Sequence, residues 1–276
     1  VKNDVLNQEN VENNGLNMRL KQKLARFYAL FYNITHMSHH YTFDGNWGSK
    51  ELPPNSCFKG LSEEEIDTHC AITHYGQFHL TGAVFPSYDL QVVPTEGFRY
   101  DCCKENNMHL PCITAAVTRA KIFELFLRCL KQLKGNEWDS NPIDVVLETS
   151  HKKSGHHTDV YFSNCDTVLL PAILRDYQQL PEEDGATGIA ALVPHTNSEV
   201  QFDEHKNLVC YGTRIRQLIP FENILEEAGV PFNAELRCIM DVEHLHSSSD
   251  GFKEQFAKLA KALEDVSFTE ETAQES

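Results

Sequence analysis

No run of about 18 apolar residues occurs in this 276-residue chain, so the sequence holds no candidate membrane-spanning helix. A basic segment leading into a short apolar one is also missing from the first residues, so no signal peptide is visible. The numbering opens at Val1, ahead of which a leader could have been removed. Basic residues are scarce: 24 Lys and Arg face 40 Asp and Glu, for a formal charge of −16. A field of that sign repels phosphate, so neither nucleic acid nor an anionic membrane is an expected partner. There is no C-x-x-C among the nine cysteines, and their number is odd. That spacing excludes the usual thiolate zinc sites and gives no disulfide framework, which places the chain in a reducing cytoplasm. Cys129, Cys210 and Cys238 fall inside apolar periodic runs and are expected to pack as small hydrophobes. G-x-G-x-x-G, the Walker A loop, H-E-x-x-H, G-x-S-x-G and the EF-hand pattern are all absent, which removes the common nucleotide, protease, esterase and calcium templates.

What is present is an ordinary globular composition, 41% hydrophobic and 23% charged, in a chain long enough to bury a core without staples. Residues 1–17 are Asn-rich and residues 265–276 acidic, and both read as disordered tails. Residues 18–264 read as one domain, divisible into subdomains 18–135 and 140–264 at a polar linker.

Apolar spacing at i, i+3 and i+4 marks helices over residues 20–34, 113–133, 168–177, 221–228 and 252–263. Gly229 stands as the left-handed stop of the fourth. Ser62 and Glu65 form a capping box that opens a short helix to about residue 73. Strand patterns lie between the helices. Residues 78–93 read as a hairpin turning at 86–89, and residues 144–162 as a second turning at Ser154-Gly155. Further strands fall at 188–193, 199–211 and 236–242. Hairpins outnumber strand–helix alternations, so the expected fold is α+β, with a largely antiparallel or mixed sheet flanked by amphipathic helices. A mixed-sheet α/β fold is the alternative.

Strand side chains alternate between faces, which sorts the polar residues. Val145, Leu147, Thr149, Val160 and Phe162 fall on a core side, leaving Glu148, Ser150, Lys152, His157, Asp159 and Tyr161 opposite. Val200 and Phe202 point inward, leaving Gln201, Asp203 and His205 outside. Cys238, Met240 and Val242 point inward, leaving Arg237, Asp241 and Glu243. If these strands adjoin, carboxylates and imidazoles pool on one face, a donor set suited to Zn, Mn or Fe(II). A solvated face with alternating charges is the plainer reading of the same pattern.

The segment Glu243-His244-Leu245-His246 puts two imidazoles at i, i+2, able to clamp one metal from the same side of a strand. Ser247 to Gly251 then cap the last helix, with an anion at its amides as the lesser reading. Lys152 and Lys153 are the local basic pair available to an anionic substrate. His36, His39 and His40 have helical spacing, for which an interaction with a helix C-terminus is the simpler account. Two functions follow. The first is a metal-assisted hydrolase or lyase acting on a small anionic molecule. Its ligands would come from His205, Glu243, His244 and His246. Glu148 or Asp241 would serve as general base, and Lys152 would hold the anion. The second is a non-catalytic binding or self-assembling protein without metal, for which a homo-oligomer is the natural form.

Overall fold

A computed structural model describes residues 40–43, 52, 55–105, 108–133, 143–149 and 159–267. The expected helix over 20–34, the linker at 134–142, the hairpin turn at 154–155 and both extreme termini lie outside these residues. The chain divides into two units. One comprises Val1–Met37 with Cys103–His109, and of it only the adjoining ends of two strands are described. The other comprises Ser38–Cys102 with Leu110–Ser276 and carries everything discussed below.

In chain order the elements are β1 (His40–Phe43), α1 (Glu63–Cys70), β2 (His74–Tyr75), β3 (Phe78–His79), β4 (Val84–Phe85), β5 (Gly97–Glu105) and β6 (Met108–Ala116). Then follow α2 (Arg119–Leu133), β7 (Ile143–Thr149), β8 (Val160–Cys165), α3 (Leu170–Asp176), α4 (Gln179–Glu183), β9 (Thr187–Val193), β10 (Ser198–Phe202) and β11 (Asn207–Tyr211). α5 (Ile219–Glu227), β12 (His244–Ser247) and α6 (Asp250–Glu264) complete the set. A seven-stranded sheet runs β5-β6-β11-β10-β9-β7-β8, and a three-stranded sheet runs β1-β12-β4. The large sheet is antiparallel, whereas β1 pairs parallel to β12. The fold is therefore α+β with flanking helices.

The helices sit where the local chemistry places them. Ser62 accepts from the Glu65 amide at 3.3 Å, while Glu65 accepts from the Ser62 amide at 2.7 Å. Pro171 lies in the first turn of α3, where its missing N–H costs nothing. Gly229 has φ +75° and ends α5 in the left-handed conformation. Ile122, Phe126, Cys129 and Leu130 of α2 bury against Val200, Phe202, Leu208 and Cys210 of the sheet. A second core of Phe58, Ile66, Phe78, Phe85, Cys238 and Leu245 is built around the small sheet.

Four sequence expectations are corrected. Residues 113–116 belong to strand β6, so α2 starts only at Arg119. β-Branched Ile113 and Thr114 favour the strand over a helix of the same apolar content. The expected hairpin over 78–93 does not form: β3 pairs with β2, and β4 pairs with β12. Residues 236–242 are not a strand, because Asp241 accepts from the Cys238 amide at 2.8 Å and folds the segment into a 3-10 turn. His40 sits in strand β1 and not in a helix, whereas His36 and His39 lie outside the described residues. The hairpin β7–β8 does form, with Val145 opposite Phe162 and Leu147 opposite Val160. This register differs by two residues from the one a tight Ser154-Gly155 turn implies, an even shift that keeps every side chain on its expected face.

Candidate metal centre

The β10–β11 hairpin reverses through Asp203–Lys206. The Asn207 amide donates to Asp203 Oδ1 at 2.7 Å, and the Lys206 amide to the Asp203 carbonyl at 3.1 Å. Lys206 adopts φ +65°, the left-handed residue that closes such loops. This turn holds His205 at its tip. His244 and His246 alternate along β12 and so share one side of it. β12 is bonded to a strand on each side, which leaves its backbone little freedom.

All three imidazoles are buried, with ring centroids 4.9 to 5.0 Å apart and donor nitrogens within 4.8 Å of one another. His244 Nδ1 lies 2.6 Å from the Val242 carbonyl oxygen, and His246 Nδ1 lies 2.5 Å from that of Gly185. A carbonyl only accepts, so both Nδ1 atoms must carry their protons. In the neutral rings both Nε2 atoms are then lone-pair donors, and they face each other at 2.9 Å. Only a shared proton or a cation makes that approach favourable. Burial opposes the proton: desolvation holds His244 below the usual imidazole range, against the raising effects of the Val242 carbonyl and Asp203. A metal ion meets two lone pairs without protonating either ring. His205 supplies the third ring, its Nδ1 3.7 Å from Asp203 Oδ2. Imidazole nitrogens about 2.0–2.1 Å from a tetrahedral zinc stand roughly 3.3 Å apart, inside the span seen here.

Two of the expected participants stand elsewhere. Glu243 Oε2 accepts from the Cys57 amide at 2.8 Å, out of phase with the two histidines that follow. Asp241 binds Arg99 through Nη1 at 2.7 Å and Nη2 at 3.2 Å, and also caps the 3-10 turn. Its carboxylate is thus shared between a guanidinium and a backbone amide. Lys152 and His157 lie outside the described residues.

Glu148 heads a second polar group. Both its oxygens accept from Gln201 Nε2, at 2.8 and 3.0 Å. Asp159, Glu204 and Glu199 are the charges that act on it. This face is not solvated: Glu148 is 2% exposed, and Glu199 and Gln201 are buried as well. Desolvation, then Asp159 and Glu204, push the Glu148 carboxyl well above its usual range. Asp159 is pushed up to about 6, chiefly by burial. The segment from Asp184 to Gly188 touches both groups. Gly185 receives His246, and a Cβ on Gly188 would stand 2.6 Å from Glu148 Oε2.

A carboxyl raised in the folded state keeps its proton while the unfolded chain loses one. Its contribution to stability is therefore full below the ordinary Glu pKa of about 4.3 and is lost as pH rises through the folded value. Glu148→Gln can still accept from Gln201 and never ionises. Thermal melts should show this variant level with the parent near pH 4 and several degrees more stable at pH 7. Equal melting temperatures at both pH values would show that Glu148 is not held protonated.

Sequence reasoning missed the carbonyls of Val242 and Gly185 that orient the rings. The pair of glycines at 185 and 188 was the available signal. It also missed Lys206, whose ammonium is buried and donates to the Thr187 carbonyl at 2.8 Å. Desolvation lowers that group to about 8, against the pull of Asp184, Asp203 and Glu204. No protein-family model, curated protein or solved structure matches the chain.

Proposed function

We propose that this protein holds one divalent transition metal through His205, His244 and His246, and uses it for hydrolysis or lyase chemistry on a small anionic molecule. The observation that carries the reading is the 2.9 Å approach of two buried Nε2 atoms whose Nδ1 partners are both fixed by backbone carbonyls. The donor set is entirely imidazole, which favours zinc over manganese, with Fe(II) as the redox-active alternative. Three protein ligands leave zinc a fourth position for water, whose pKa the metal lowers to about 7. Glu148, whose carboxylate lies against Gly188 of the Asp184–Gly188 segment, is the candidate general base. Burial raises its carboxyl above the ordinary range, the direction in which a catalytic acid or base is tuned. No helix among the described residues is long and apolar enough to cross a membrane.

Metal analysis by plasma mass spectrometry, on protein purified without a His tag, tests the proposal. About one zinc, manganese or iron ion per chain is expected, falling to background in His246→Ala. Protein that carries none, and takes up none when dialysed against zinc, ends it.

A further inference from the structure

A small pocket, about 30 Å³ in volume, opens with His205 in its wall. Phe78, Leu80 and Val84 contribute to an apolar side. The formally charged residues that line it are of one sign: Lys206 and Arg237 are present, and no Asp or Glu lines it among the described residues. In a chain with 40 acidic and 24 basic residues, a wall taken at random carries more acid than base. Arg237 is exposed and donates to the Gln91 carbonyl at 3.2 Å, which occupies one of its five N–H groups.

We infer that this pocket is the anion subsite of the metal centre and takes a short-chain monocarboxylate. This rests on the metal reading, because the carboxylate oxygen would occupy the fourth position on the ion. The volume admits a group of a few heavy atoms, and the apolar side accepts a methyl or ethyl group while the Arg237 guanidinium balances the charge; the Lys206 ammonium is already held by the Thr187 carbonyl. A larger or dianionic molecule meets neither the space nor the lining.

Cobalt(II) in place of zinc gives visible absorption bands that respond to the fourth ligand. Titration with acetate or propionate is expected to shift these bands to saturation, whereas acetamide, of the same shape but neutral, leaves them unmoved. Arg237→Gln should weaken the acetate response about tenfold without changing the cobalt spectrum in its absence. Bands that ignore acetate on a cobalt-loaded protein overturn the subsite and leave the metal reading standing. If cobalt does not bind, the metal reading fails, and the line width of carbon-13 acetate mixed with the protein decides the pocket alone. Broadening that Arg237→Gln removes supports it, and an unbroadened line overturns it.

Discussion

Excess chelator is expected to lower the melting temperature of the metal-loaded protein by about 10 °C. A ligand that binds only the folded state, at a free concentration a thousandfold above its dissociation constant, stabilises by about 4.1 kcal/mol. For a chain of this size each kcal/mol moves the midpoint by about 2–4 °C. The ion would stabilise more than an exposed ion pair does because it removes a local conflict. Without it, two buried nitrogens at 2.9 Å must share a proton in surroundings that disfavour the charge, or the rings must turn away from their carbonyl partners. His246→Ala should melt at one temperature with or without chelator. Acid should act like chelator, because protons compete for neutral imidazoles below the usual histidine pKa of about 6.5. Scanning calorimetry at pH 7.5 and pH 5.5 reads both effects. A midpoint that chelator leaves unchanged at pH 7.5 would remove the metal from the account of this fold.

Gly185→Ala is expected to weaken metal binding by about 10- to 100-fold, the usual cost of disturbing a group that orients a ligand. The Gly185 amide donates to the Ser247 carbonyl at 2.7 Å, and its own carbonyl receives His246 Nδ1. Gly185 thus holds β12 at His246 and at Ser247. A Cβ at this position would stand 2.5 Å from the Ala83 carbonyl oxygen and 2.9 Å from that of Ser247. Both are backbone atoms, Ser247 in β12 and Ala83 just before β4, so neither can swing aside as a flexible side chain would. The segment must back away, carrying the carbonyl from the His246 ring, at a cost of about 1–3 kcal/mol in stability as well. Competition with a chromophoric zinc indicator measures the affinity. A variant that binds zinc as tightly as the parent would show that Gly185 does not set the ring's orientation.

The sequence was most legible where a local pattern decides the outcome. The capping box at Ser62, the left-handed stop at Gly229 and the β9–β10–β11 strands follow from a few neighbouring residues each. Period-two alternation also placed His244 and His246 on one side, although the strand lies later than the apolar run before it suggested. That run is no strand because a carboxylate three residues on, Asp241, captures the Cys238 amide and bends the chain, an outcome apolar spacing does not encode. The end of β6 is not legible as a strand because a short apolar run fits helix and strand alike. Alternation alone groups Glu148 and Glu243 with the histidines, because it puts all polar strand positions on one surface. In the structure Glu243 faces Cys57, and Glu148 belongs to an acidic group on the large sheet. Which strands adjoin is set by contacts far apart in the chain, and β4 meeting β12 was invisible in either segment alone.

The parallel pairing of β1 with β12 joins His40 to His244, across ~200 residues of chain. A ribosome releases the first of these strands long before it makes the second. A growing chain can form the β10–β11 hairpin early, with His205 already at its tip, but the other two rings do not yet exist. The centre can therefore close only late in translation, and chains that stall before residue 244 should emerge without the capacity to retain the ion.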